Sequence, residues 1–146
     1  MTAATTGHPP SRGHELRPHT ADVVIEAWGP DAAACYEEAA EAFVSIFVDV
    51  GSAAPNESVP FDVGPGCPEE LLVLLLEEIL MVVETNDAVP ASVQVDRADD
   101  RVTGRFGLVP PEQADRTGPV PKGVSYSDLE FVTSDGRCRC RATIDV

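Results

Sequence analysis

The residues best suited to chemistry in this chain are acids at the ends of β-forming segments. Asp22 closes the run His19-Thr20-Ala21-Asp22, just before a Val- and Ile-rich stretch, and Asp145 is the penultimate residue. The final strand then ends in two carboxylates, the Asp145 side chain and the terminus on Val146. Oxygen clusters of this kind suit hard divalent cations such as Ca2+, Mg2+ or Mn2+. If the first of these strands lies beside the last, Asp22 completes the cluster. A third segment, Lys122-Gly-Val-Ser-Tyr126, starts another strand and carries the chain's only lysine.

Other catalytic patterns are missing from the sequence. It has no GxSxG, HExxH, P-loop or GxGxxG motif. His14 and His19 are five apart but precede any helix, so they make no helical metal pair. Cys35, Cys67, Cys138 and Cys140 include no CxxC pair. Cys138 and Cys140 share the apolar face of one strand and read as core residues. Trp28 and Tyr126 read as packing residues.

Hydrophobic periodicity outlines the elements that must position these groups. Residues 1–13 are small and polar with a Pro-Pro pair, and read as a disordered tail ahead of a single domain over 14–146. Residues 22–28 form a strand. Asp31 caps a helix whose apolar stripe is Cys35, Ala39, Ala42, Phe43, Ile46 and Phe47. Residues 58–63 are a short strand. Cys67-Pro68-Glu69-Glu70 starts a second helix, with proline in the first turn and acids opposing the dipole. That helix runs to Glu84 and is apolar on most sides, so it is expected to be the central, most buried one. Residues 91–95, 101–109, 120–132 and 137–146 are strands, and 110–121 is a Pro-rich loop. Ser134-Asp135-Gly136 joins the last two strands as a hairpin. In the final strand Cys138, Cys140, Ala142, Ile144 and Val146 alternate with Arg137, Arg139, Arg141, Thr143 and Asp145. One set faces the core and the other faces solvent or a site. The expected fold is α+β, a single domain with a mainly antiparallel sheet and two helices packed on one face.

Charge narrows the function classes. The 146 residues carry 25 Asp and Glu against 10 Lys and Arg, a formal charge of −15. Residues 18–96 hold 16 acids and no Lys or Arg, whereas residues 97–146 hold 8 of each sign. Binding to nucleic-acid phosphate normally needs Lys and Arg to displace counterions. The balance therefore argues against direct DNA or RNA binding and against docking on anionic lipid. It suits cation attraction or a basic protein partner. The N-terminus has no basic region followed by an apolar stretch, and the longest apolar run, 71–76, is far short of the ~20 residues of a membrane span. A cytoplasmic protein with reduced thiols is expected.

Four motifs in order resemble the archease family. They are His19-Thr20-Ala21-Asp22-Val23 followed by an Ala-rich helix ending Phe43-Val-Ser-Ile-Phe47, then Leu71-Leu-Val-Leu-Leu-Leu-Glu-Glu-Ile-Leu80. Lys122-Gly-Val-Ser-Tyr126-Ser-Asp-Leu129 and the terminal Ile144-Asp145-Val146 complete the series. The resemblance implies a non-catalytic, metal-binding accessory protein of the RtcB-type RNA ligase, a GTP-dependent enzyme of tRNA splicing and RNA repair. Such a protein promotes guanylylation and multiple turnover of the ligase and meets RNA only through it. The family's metal positions carry onto Asp22, Asp145 and Val146, with calcium the usual ion, and its lysine carries onto Lys122. His19 also matches and is a candidate for partner or phosphate contact. Two departures stand out. Ser127 replaces a family histidine, and the second helix lacks the usual tryptophan, with Leu75 nearest. Two other classes fit the residues alone: a metal-dependent enzyme on a small phosphorylated or nucleotide substrate, and a general protein chaperone.

Overall fold

The computed structural model describes residues 11–19 and 22–146, the side chains of Pro18 and His19 excepted. The chain runs β1 (Gly13–His19), β2 (Asp22–Gly29), α1 (Ala32–Ser45), β3 (Val48–Asp49), β4 (Glu57–Val63) and α2 (Pro68–Asn86). It continues as β5 (Val89–Arg97), β6 (Val102–Val109), a 3-10 turn (Pro111–Gln113), β7 (Asp115–Arg116), β8 (Gly123–Ser134) and β9 (Arg137–Asp145). The expected single sheet is resolved into a four-stranded sheet, order β1-β2-β9-β8, and a three-stranded sheet, order β4-β6-β5, with β3 and β7 as a small separate pair. Every pairing is antiparallel. Among the described residues no helix is long and apolar enough to cross a membrane.

Local chemistry accounts for the element ends. The Asp31 carboxylate accepts from Ala34 N–H at 2.8 Å and caps α1. Glu70 reaches back to the Cys67 N–H at 3.0 Å, and Pro68 occupies the first turn of α2. That helix stops at Asp87, which takes a left-handed conformation. Asp135 and Gly136 both have positive φ, the requirement of the tight hairpin turn between β8 and β9.

Two expectations change. The central helix is α1: nine of its fourteen residues are buried, against seven of nineteen in α2. It packs against β2 and β9 of the larger sheet and against β5 of the smaller. Helix α2 is more apolar, but its outer turns, including Met81, meet solvent. The second change is at the N-terminus. Residues 1–10 of the expected tail lie outside the described residues, yet Gly13 already begins β1. Gly13 sits beneath the Trp28 ring, where an added Cβ would come within 2.7 Å of Cζ2. Arg12 forms ion pairs with Glu37 and Glu38, and His14 Nδ1 lies 2.9 Å from Glu38. The strand has no apolar alternation to announce it. Backbone pairing and these ionic contacts hold it.

Glu38 is the buried charged residue of the described core. Burial pushes its carboxyl pKa up, but hydrogen bonds from His14 and Arg12 outweigh this and hold it below the usual carboxylate range. A depressed carboxylate contributes stability above its unfolded value, and that stability is lost as pH falls through the folded value. Glu38→Gln is expected to cost about 1–3 kcal/mol at neutral pH, read by chemical denaturation. The gap from the parent protein should narrow once pH drops below about 4.

Gly104 of β6 faces Phe61 on one neighbouring strand and Val95 on the other. An added Cβ would lie 1.8 Å from the Gln94 carbonyl oxygen and 2.8 Å from Phe61 Cζ. Phe61 closes over this gap and stacks on Phe106 with centroids 4.4 Å apart. Gly104→Ala should therefore destabilise by about 1–3 kcal/mol or more, seen as a lowered Tm.

Candidate functional site

The four-stranded sheet brings together two segments far apart along the chain. Strand β2 begins at Asp22, β9 ends at Asp145, and the two residues are direct partners in the antiparallel register. His19 is the partner of Asp22 on β1, and Gly123 is the partner of Asp145 on β8. One cross-strand row thus runs His19, Asp22, Asp145, Gly123 at one end of the sheet. Residues in one row share a face. Ile144, Ala142, Cys140 and Cys138 are buried on the inner face, so Asp145 belongs with the arginines on the outer one. Asp22 and Asp145, with Gly123, Val124 and Ser125, line an open cavity of about 400 Å3.

The electrostatics of this face single out the row. Glu15 is paired with Arg17 at 3.0 Å. Glu26 is held between Arg17 at 2.9 Å and Arg141 at 3.2 Å. Glu130 lies 3.5 Å from Arg139. Asp22 and Asp145 have no ion-pair partner among the described residues. Like charges directly opposite on neighbouring strands repel. Two such carboxylates beside a serine hydroxyl form an all-oxygen donor set, the kind a hard divalent cation takes. Among the described residues no three His, Cys, Asp or Glu side chains converge on one point. The two aspartates therefore supply only part of the about six to eight oxygen ligands that Ca2+ adopts.

The other residues nominated from sequence fall into place unevenly. The Lys122 backbone N–H donates to the Asp145 carbonyl at 2.7 Å, which ties this segment to the row. Its side chain is exposed and does not line the cavity. Val146 follows directly and packs its side chain against the core, outside the cavity lining. The His19 side chain lies outside the described residues.

Ser125 is a lining residue that was not nominated. Its Oγ accepts from Ser127 N–H at 3.0 Å. Its sequence signals are its place two residues beyond Gly123 on the same strand face and its hydroxyl within the Lys122–Leu129 motif, where the resembled family has threonine. The next four residues, 126–129, stand opposite the single residue Ala142, because the β8–β9 register jumps between Ser125 and Glu130. Asp128 has positive φ within this bulge. Tyr126, expected to pack, is instead 64% exposed, since the bulge removes it from the sheet's alternation.

Cys138 and Cys140 are buried in the core as expected. A hydrogen bond with Cys35, followed by burial, raises the Cys140 thiol well above its ordinary range, so it is protonated and a poor nucleophile.

The archease protein family (MTH1598/TM1083) has a family model that matches residues 14–146. The probable protein archease of Mycobacterium tuberculosis (strain H37Rv) is 32% identical over 136 residues, covering 93% of this chain and 76% of that protein. The solution structure of Methanobacterium thermoautotrophicum protein 1598 is similar with a TM-score of 0.75 and 26% identity, covering 92% of this chain and 99% of that one. The crystal structure of TM1083 from Thermotoga maritima, an archease termed a possible chaperone, has a TM-score of 0.64 at 16% identity and shares the fold over 91% of this chain and 98% of that one. With the family match spanning nearly all of the described residues, this chain belongs to the archease family.

Proposed function

We propose that the protein is a metal-binding accessory factor of an RtcB-type, GTP-dependent RNA ligase, with no catalysis of its own. The observation that carries this reading is the Asp22–Asp145 pair, opposite in register and, among the described residues, without an ion-pair partner on a face where Glu15, Glu26 and Glu130 are paired. In this reading the two carboxylates hold a divalent cation, Ca2+ foremost and Mg2+ or Mn2+ as alternatives. A cation there supplies positive charge toward nucleotide phosphate. Because two side chains fill only part of a calcium shell, the remaining positions are open to a main-chain oxygen of Val146, water or the ligase's nucleotide site. His19 stands in the row and Lys122 next to it, and both contact phosphate or the ligase. RNA is met only through the ligase, because the chain's charge of −15 repels it. The protein works in the cytoplasm, where its free thiols stay reduced.

The cation part is tested by stability. Asp145→Asn should raise metal-free stability by about 0.2–1 kcal/mol at low salt, because it removes a like-charge pair. That gain should shrink as salt screens it. Adding Ca2+ should raise the Tm of the parent protein and leave the variant unmoved; an unchanged parent Tm counts against the cation.

The ligase part is tested by ligation with RNA in excess over ligase. The protein should accelerate guanylylation and allow repeated turnover, while ligating nothing alone. Asp22→Ala and Asp145→Ala should each reduce the stimulation on the order of tenfold or more, and Lys122→Ala should weaken it. If adding the protein changes neither guanylylation nor turnover, the reading fails.

A further inference from the structure

A second cavity, of about 470 Å3, shares no residue with the Asp22–Asp145 site. Its walls are the last turns of α1, with Glu41 and Val44, the segment of Val48 and Asp49, and the start of β5 at Val93. His14 stands at its side, and neither lysine nor arginine lines it. The apolar floor and acidic rim suit a group with an aliphatic stem and a cationic head.

The backbone at this cavity is equally specific. Strand β5 is an edge of the three-stranded sheet. Edge strands expose unpaired N–H and C=O groups that must be covered or paired. Helix α1 covers part of this edge: the Glu37 carboxylate accepts from Val95 N–H at 2.8 Å, standing where a further strand's carbonyl would be. Strand groups repeat with a period of two, so the Val93 N–H faces the same way. Val93 lines the cavity, and among the described residues no side chain accepts from its N–H.

The rim charges are unequally compensated. Glu37 and Glu38 are paired with Arg12, and Glu38 also with His14. Glu41 and Asp49 have no ion-pair partner among the described residues. Partial burial and then the charge of Glu38 raise the Glu41 carboxyl above its usual range, against the opposing effect of Arg12 and His14. Added positive charge at this rim is therefore favourable.

We propose that this cavity docks an extended, arginine- or lysine-bearing segment of a partner protein. The segment adds a strand to the edge of β5 at Val93 and sets a cationic side chain against Glu41 and Asp49. Backbone pairing supplies affinity and the acidic rim supplies selectivity, as in strand-addition complexes. The site is independent of the cation at Asp22 and Asp145, so either assignment can fail alone.

The full chain, labelled with 15N, is titrated with a capped Val-Arg-Val-Arg-Val peptide and with its Val-Glu-Val-Glu-Val counterpart. The arginine peptide should shift resonances around Val93 and Glu41 and slow exchange of the Val93 amide, while the glutamate peptide does neither. The double variant Glu41→Gln, Asp49→Asn should bind the arginine peptide about tenfold more weakly or worse. Its amide spectrum away from the cavity should match the parent, which reports an intact fold. The proposal is overturned if the arginine peptide does not bind at millimolar concentration, if both peptides bind alike, or if the double variant binds undiminished. Binding confined to the Asp22–Asp145 row overturns it too, as does binding without protection of the Val93 amide.

Discussion

The pairing of β2 with β9 is the contact on which the rest of the molecule depends. It joins residues 22–29 to residues 138–145, nearly the full length of the chain. Closing so long a loop costs chain entropy, although the cost grows only slowly with length. The pairing is offset by the burial it completes: Ile25 and Ala27 from one strand and Cys140, Ala142 and Ile144 from the other form one wall of the core. The same register that buries these residues sets Asp22 opposite Asp145 on the far face. A slip of one residue would turn every side chain over, exposing the wall and burying the acids. Core and candidate site are thus two faces of one alignment.

Helix α1 is the second organising element: it lies on the paired strands β2 and β9 and against β5, whereas α2 meets the two sheets at β8, β4 and β5. Its small residues, Ala39, Ala40 and Ala42, are buried without exposure and allow close approach to the strands. Its acids also act structurally: Glu37 covers an edge amide of β5, and Glu38 draws Arg12 and His14 in to hold β1. A net charge of −15 is thus not uniform solvation. Some acids are partnered within the fold. Many others lack a basic partner among the described residues, Asp22, Asp145, Glu41 and Asp49 among them.

Much of this was legible in the residues. Helices α1 and α2, their caps, the β8–β9 hairpin and the alternation in β9 follow from local chemistry, which acts over a few residues. Asp22 and Asp145 were also nominated locally, by type and by their position at strand ends. The rest was not local. Strand β1 carries no apolar alternation, and the two-residue strands β3 and β7 exist only because a distant segment meets them. The bulge that exposes Tyr126 reflects a mismatch of length against β9. Total apolarity marks α2 as the central helix, yet α2 leaves Met81 and its neighbours to solvent while α1 is enclosed between β2, β9 and β5.

By itself the sequence determined the α+β class, the local elements and the candidate acids, because capping, turn chemistry and periodicity are properties of neighbouring residues, and its four ordered motifs carried the family resemblance. Only the tertiary structure decided that Asp22 and Asp145 stand opposite one another, that Ser125 joins them, and that the Lys122 and Val146 side chains lie off the cavity lining. Those facts rest on cross-strand register. Register is set by simultaneous burial of side chains far apart along the chain, and no local pattern encodes it.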